Sequence, residues 1–416
     1  MKKIFALMMI IASAIVLVGC NNEEVELVIL SDFGREVIEK ETYRTEIFAE
    51  FEKEHNVKIS FETLAQAEDT FNKIDSEQKA ENYTVDLLIS HFGTMSDYIN
   101  EGYMQDVDAL EDDMDDRTFL TTFDGSTNSG GNRYFFPINS DVYLSYARKE
   151  AFDTLPSGLT KEDILAGDYT WEDFIAWADE IGNHSVHIKG EATSMLLYEV
   201  GGMALSNGGA FPVLNDAGNL KAWQDIIALY EDGSIAPESL TSNVSNEHMV
   251  NAESGVKLAF ELMAPLATAV AQSPAAFEIF PGPQGTSGKA GSIIGGHGIG
   301  IVNGAPNQEL AEEFIKWFTA PEQIVHAALG TIPTIEEASE ALGNDPEDEV
   351  IRQGLATVAN ANVEGLQMIS EYTSWAEVKG VYDLVFTGIM NGTITNANIE
   401  AFLDGQQEDL EALLVS

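Results

Sequence analysis

The chain has 416 residues, with 69 Asp plus Glu against 21 Lys plus Arg, giving a formal net charge of −48. That field repels phosphate backbones and argues against nucleic acid as a partner, while 44% hydrophobic residues exclude a disordered acidic polymer. The length allows two domains of ordinary size or one large one, and the lone cysteine, Cys20, excludes an intrachain disulfide.

At the N-terminus, Lys2 and Lys3 precede an apolar run over 4–18, the length of a signal-peptide core and short for a membrane span. Leu17, Val18, Gly19 and Cys20 follow, a tetrad that resembles the lipobox of bacterial lipoproteins. The resemblance implies cleavage after residue 19, thioether lipidation of Cys20, and acyl chains that tether residues 20–24 to the outer face of the cell membrane, periplasm-facing in a Gram-negative host. No later run is apolar for long enough to span a bilayer, so the remainder is expected outside the cytoplasm.

Residues 25–30 (VELVIL) read as a buried strand that ends at Ser31 and Asp32. An amphipathic helix with Ile47, Phe48 and Phe51 on one face stops at His55 and Asn56, after which Val57, Ile59 and Phe61 alternate with polar residues as in a strand. Beyond a further polar helix, 85–89 (VDLLI) is another short apolar run. Strands alternating with helices at this spacing predict a parallel sheet covered on both faces, with its ligand crevice outside the carboxyl ends of the strands. That places Ser31, Asp32, Ser90, His91 and Phe92 at the crevice.

The middle of the chain is more helical. Thr170 is the expected N-cap of a helix, with Asp173 completing a capping box, and Trp171, Phe174, Ile175, Ala178 and Ile181 follow helical spacing. Residues 280–285 (FPGPQG) form a turn-rich break, and 291–302 read as extended chain with glycines where something approaches the backbone. A helix from Asn307 carries Leu310, Ala311, Phe314, Ile315 and Phe318 on one stripe and ends before Pro321. From Asn396 a polar helix runs toward Leu410, Leu413 and Leu414. Trp171, Trp177, Trp223 and Trp317 all fall in helical patterns and are expected in the core.

Catalytic signatures are sparse. The seven histidines show no compact zinc spacing, and the chain lacks a Gly-x-Ser-x-Gly elbow and a Walker A loop. The Ser-x-x-Lys match at 254–257 has no companion motif, and carboxylates are too abundant to single out a glycosidase pair. The acidic run 112–116 lacks the glycine and terminal Glu of an EF-hand loop. The expectation is a non-enzyme with no metal and no cofactor.

In this order, several segments resemble the extracellular solute-binding proteins of bacterial ABC importers, in the sugar-binding group that includes maltose-binding proteins. They are 51–59 (FEKEHNVKI), 85–89 with 101–108, 133–137 through 144–149, 170–174 (TWEDF), 281–283 (PGP), Gly295 with Gly296, and 311–317 (AEEFIKW). The resemblance implies an α/β fold of two lobes, each a mostly parallel sheet flanked by helices, with ligand in the inter-lobe cleft and closure about a hinge. It implies lobes of 25–138 with 295–330 and of 139–294 with 331–416. A monomer would deliver a mono- or oligosaccharide to the permease subunits of an ABC transporter.

Sugar hydroxyls call for polar side chains and the C–H faces for aromatic rings. Motif position then makes Asp32, His91, Phe92, Asp141, His297, Tyr372 and Trp375 the cleft residues. Asp32 fits equally well as a helix N-cap, and Trp375 as core. The segment after 254–260 often carries a Trp in relatives but reads Glu261, Leu262, Met263, Ala264 here, which points to a smaller or less sugar-like ligand. Two alternatives stay open: the same fold with a cationic or peptide solute, and a secreted carbohydrate-active enzyme.

Overall fold

A computed structural model describes residues 25–414 apart from 34–36, 65–66, 193–194, 244, 329 and 366–374. Cys20 and Tyr372 lie outside these residues.

The alternating and continuous apolar runs become the centre of one sheet. In β1 (Val25–Ser31), Leu27, Ile29 and Leu30 are fully buried. β2 (Val57–Thr63) pairs with it in parallel, Leu27 opposite Ile59, and β3 (Leu87–His91) pairs in parallel on its other edge, Ile29 opposite Leu87. The helices α1 (Phe48–His55) and α2 (Ala67–Ala80) carry the chain back between these strands. α1 buries Phe48 and Phe51 and ends at Asn56 in the left-handed region, φ 53°.

β4 (Phe136–Asp141) passes through the buried Val142 directly into β5 (Tyr143–Arg148), which leaves the first sheet and forms the middle of a second with β6 (Leu258–Leu262) and β7 (Phe277–Phe280). β8 (Gly291–Ile301) returns to the first sheet. It lies antiparallel to both β3 and β4, while its first residues pair in parallel with β9 (Asn362–Gly365). The order is β9-β8-β3-β1-β2, with β4 on β8. The second sheet differs from the expectation of a parallel one: β5 is antiparallel to both β6 and β7, because it enters as the continuation of β4, opposite in sense to its neighbours.

Separate cores follow. The first lobe packs Phe48, Phe51, Ile299, Phe314 and Phe318 on one side of its sheet and Leu88, Phe92, Tyr98 and Phe135 on the other. The second lobe packs Trp171, Trp177, Trp223 and Phe260 on one side and Leu144, Tyr146, Met263 and Leu266 on the other. The principal helices here are α3 (Trp171–Ile181), α4 (Leu196–Ser206), α5 (Ala217–Glu231), α6 (Met263–Gln272) and α8 (Trp375–Met390), with α7 (Gln308–Phe318) on the first lobe. The capping box of α3 has both halves, Asp173 N–H to Thr170 Oγ1 at 3.2 Å and Thr170 N–H to Asp173 Oδ2 at 2.8 Å. Trp171 and Trp177 are core, as their spacing predicts, and each buried indole N–H is satisfied, by Ser206 Oγ and Ala151 O, both at 2.9 Å.

Three segments cross between the lobes side by side. Ser140 exchanges backbone hydrogen bonds with Ile332, and its Oγ donates to Gly295 O at 2.9 Å. Ile335 and Ala338 pack in the first core, with Ile335 bridging to Phe119, so the first lobe extends past residue 330. Among the described residues no helix is long and apolar enough to cross a membrane.

Candidate functional site

Where the crossings meet, a cavity of about 320 Å³ opens between the lobes. Its position depends on one glycine. Gly296 sits at φ 150°, and a Cβ there would lie 2.2 Å from Asn139 O and 2.7 Å from the Phe92 ring. Only glycine lets β4 come so close to β8, and that approach sets Asn139 beside His297.

Asn139 Oδ1 accepts the His297 backbone N–H at 3.0 Å and lies 3.1 Å from Nδ1. An amide oxygen only accepts, so the ring proton is on Nδ1, and Nε2 faces Asp32 Oδ1 at 3.9 Å. The His297 ring packs on Phe33 at 4.6 Å and meets His91 edge-on at 5.2 Å. His91 Nδ1 accepts the Gly93 N–H at 3.2 Å, which places its proton on Nε2. Phe33, His297 and His91 thus make a mixed aromatic and polar wall on the first lobe.

The second lobe faces it with Tyr143 from β5, Tyr198 from α4 and Lys379 from α8. Tyr143 is 1% exposed, its ring lies 5.1 Å from Phe260, and its hydroxyl is buried without a hydrogen-bond partner. The Lys379 ammonium stands 5.6 Å from the centroid of the Tyr198 ring. Burial lowers the pKa of Lys379, against the opposing pull of Asp383.

Asp141 lies at the floor, at the end of β4, where its Oδ1 accepts the Met263 N–H at 2.9 Å. Behind it, Lys189 pairs with Glu261, both all but inaccessible, and the Lys189 backbone N–H donates to Glu199 Oε2 at 3.0 Å. Three carboxyls therefore share one ammonium in a dry region. Burial pushes Asp141 up to about 7, against the Met263 N–H and Lys189. Burial likewise pushes Glu199 up to about 8 and raises Glu261.

Of the residues expected at the cleft, His91, Asp141 and His297 come together on the cavity. Asp32 stands behind them, 4% exposed, its Oδ2 accepting from His91 N–H at 3.2 Å and Ser90 Oγ at 3.3 Å, so that it ties the ends of β1 and β3 together. Phe92 is 4% exposed and stacks on Phe123 at 4.9 Å in the first core, away from the cavity. Tyr372 and the side chain of Trp375 lie outside what the structure describes. Sequence reasoning missed Phe33, Asn139, Tyr143, Tyr198 and Lys379. Phe33 and Asn139 are neighbours of residues it singled out, whereas Tyr198 sits in an apolar helix and carries no distinguishing signal. Among the described residues no group of three or more His, Cys, Asp or Glu is placed to hold a metal ion.

The family model for bacterial extracellular solute-binding proteins matches residues 46–353, well over half of the chain. No curated protein matches in sequence. Among solved structures, the maltose-bound MalE3 of T. maritima is 17% identical, with 94% of this chain and 100% of that chain covered and a TM-score of 0.73. An ABC substrate-binding protein from Listeria monocytogenes in complex with cycloalternan is 17% identical, covering 94% and 99%, with a TM-score of 0.71. UgpB from Mycobacterium tuberculosis in complex with glycerophosphocholine is 15% identical, covering 94% and 98%, with a TM-score of 0.71. These likenesses show the two-lobed fold, and the family match assigns the chain: it belongs to the bacterial extracellular solute-binding proteins.

Proposed function

We propose that the protein captures a small sugar in the inter-lobe cavity and delivers it to the permease of an ABC importer, acting as a monomer tethered through a lipid on Cys20. The observation that carries the reading is the two-sided cavity. Phe33 on one lobe and Tyr143 and Tyr198 on the other line it with aromatic rings, while Asn139, His297 and Lys379 line it with polar groups. Aromatic faces suit sugar C–H surfaces, and the polar groups suit hydroxyls. A volume of about 320 Å³ is near the lower end of the range for small-molecule sites, roughly 300–1,000 Å³, and favours one or two sugar rings. Solved relatives named for maltose, cycloalternan, tagatose and mannitol support the cargo class.

A ligand that touches both walls has its full contact set only when the lobes are closed, so binding draws the equilibrium toward closure. The closed outer surface is what a permease would distinguish. No bond of the solute needs to change, and the reading assigns no catalytic residue. The lobes divide near the three crossings, with 25–138 and 295–330 in the first and 139–294 with 331–416 in the second, apart from the stretch around Ile335 and Ala338.

Titration calorimetry of residues 21–416 against aldoses, uronates, disaccharides, polyamines and short peptides tests the proposal. It predicts a sugar ligand whose affinity falls about tenfold or more in His297→Ala with the fold intact. Binding of polyamine or peptide alone, or an unchanged affinity in the variant, would refute it.

A further inference from the structure

Lys379 is a cation in an unusual place for a chain of net charge −48. It is the lysine of the cavity wall, half-buried on α8, and among the described residues its ammonium makes no hydrogen bond and no ion pair. Its near neighbour is the face of Tyr198, 5.6 Å to the centroid. An ammonium stripped of water needs compensation, and a single ring face replaces little of a lost hydration shell. On the same wall the buried Tyr143 hydroxyl also lacks a hydrogen-bond partner. Two donors without acceptors therefore belong to residues that line one cavity, the ammonium at its wall and the hydroxyl buried just behind it. Asp383, on the same helix, pulls on the ammonium through space without forming an ion pair with it, and the other acidic groups around the cavity are engaged elsewhere. Asp141 accepts the Met263 N–H, Glu261 is paired with Lys189, and Glu199 accepts the Lys189 backbone N–H. Asp32, across the cleft, is bound to Ser90 and His91.

We infer that the cleft takes an acidic sugar, a small carbohydrate whose carboxylate or phosphate is held by the Lys379 ammonium with the Tyr143 hydroxyl as a second donor. This rests on the sugar-binding reading above and names the charge class within it. The occupant supplies a direct acceptor for the ammonium that Asp383 does not, so a neutral sugar of the same skeleton leaves a desolvated cation without one and binds more weakly. The global negative field works against any anion on encounter, and a local cation in a low-dielectric cleft is the means of overriding it.

The test is a set of matched titrations of residues 21–416 with glucose, galactose and mannose, the corresponding uronates, and the corresponding 6-phosphates, in wild type, Lys379→Met and Tyr143→Phe. The expected result is that one acid binds about tenfold or more tighter than its neutral partner. Lys379→Met should abolish that preference, by weakening the acid and relieving the penalty on the neutral sugar, in a protein that still melts cooperatively, and Tyr143→Phe should reduce it. Uronate against 6-phosphate preference identifies which anion is taken. A neutral aldose that binds as tightly as its acids, or a preference that survives Lys379→Met, overturns the inference while sugar binding stands. Silence toward every member of the panel overturns the sugar reading and this inference together.

Discussion

The buried cluster behind the cleft floor gives the sharpest prediction for stability. Lys189 and Glu261 are 3% and 0% exposed, and Glu199 and Asp141 also feel the Lys189 charge. Lys189→Met keeps the length of the stem and removes the charge. Taking one partner from a buried ion pair costs about 3–5 kcal/mol, because the remaining charge is left in a medium that solvates it poorly. The carboxyls can avoid that cost by binding protons, which fixes the pH dependence. Their folded-state pKa values are raised, to about 7 for Asp141 and about 8 for Glu199. A raised group contributes stability that is fully present below its unfolded value and lost as pH rises through its folded value. The wild type therefore loses stability between about pH 5 and about pH 8.5, and the variant loses more, since its carboxyls have no cation to favour ionisation. Urea unfolding at both pH values, in fixed salt, measures this. The variant's deficit should be about 3–5 kcal/mol near pH 8.5 and well under half of that near pH 5, and adding Glu261→Gln should recover part of it. An equal deficit at both pH values, or a double variant no better than the single, refutes the reasoning.

Other consequences are independent of the cluster. Gly296→Ala should destabilise the fold by at least about 1–3 kcal/mol and abolish ligand binding, because its Cβ would meet Asn139 O at 2.2 Å; calorimetric unfolding and titration of the variant check both. The net charge of −48 should make the melting temperature climb as salt is raised from about 0.05 M toward about 1 M, as self-repulsion is screened; a flat dependence would contradict it. Cys20→Ala should move the protein from the membrane fraction to the soluble fraction of its host, as followed by fractionation and immunoblotting. A membrane-bound variant would refute the anchor.

Much of the first lobe was legible because its signals are local. The apolar runs at 25–30 and 85–89 and the alternation from Val57 to Phe61 need only a period and a turn to be read, and they fall on the strands Val25–Ser31, Leu87–His91 and Val57–Thr63 to within two residues. The glycines of β8 announced a close approach, and Gly296 against Asn139 is that approach. Direction was not legible in the second lobe, since β5 runs antiparallel to its partners for reasons set by how the chain crosses from β4. The site was legible only in part. His91 and Phe92 are consecutive, yet the turn at Phe92–Thr94 sends the phenyl ring into the core while His91 lines the cavity. Asp32 could be placed at the end of β1 but its partners on β3 could not, because Ser90 and His91 are 58 and 59 residues away. Glu261 carries no local signal of its role as the buried partner of Lys189, which depends on a contact between residues 72 positions apart in sequence.

The central claim is that a sugar bridges the two lobes and closes them, and amide hydrogen exchange with and without the tightest-binding sugar of the panel tests it most directly. Bound ligand should slow exchange on both walls together, at His91 and residues 139–143 and 295–298 of the first lobe and crossings, and along α4 and the first turns of α8 in the second. Protection confined to one lobe, or falling on a surface away from the cleft, would contradict it.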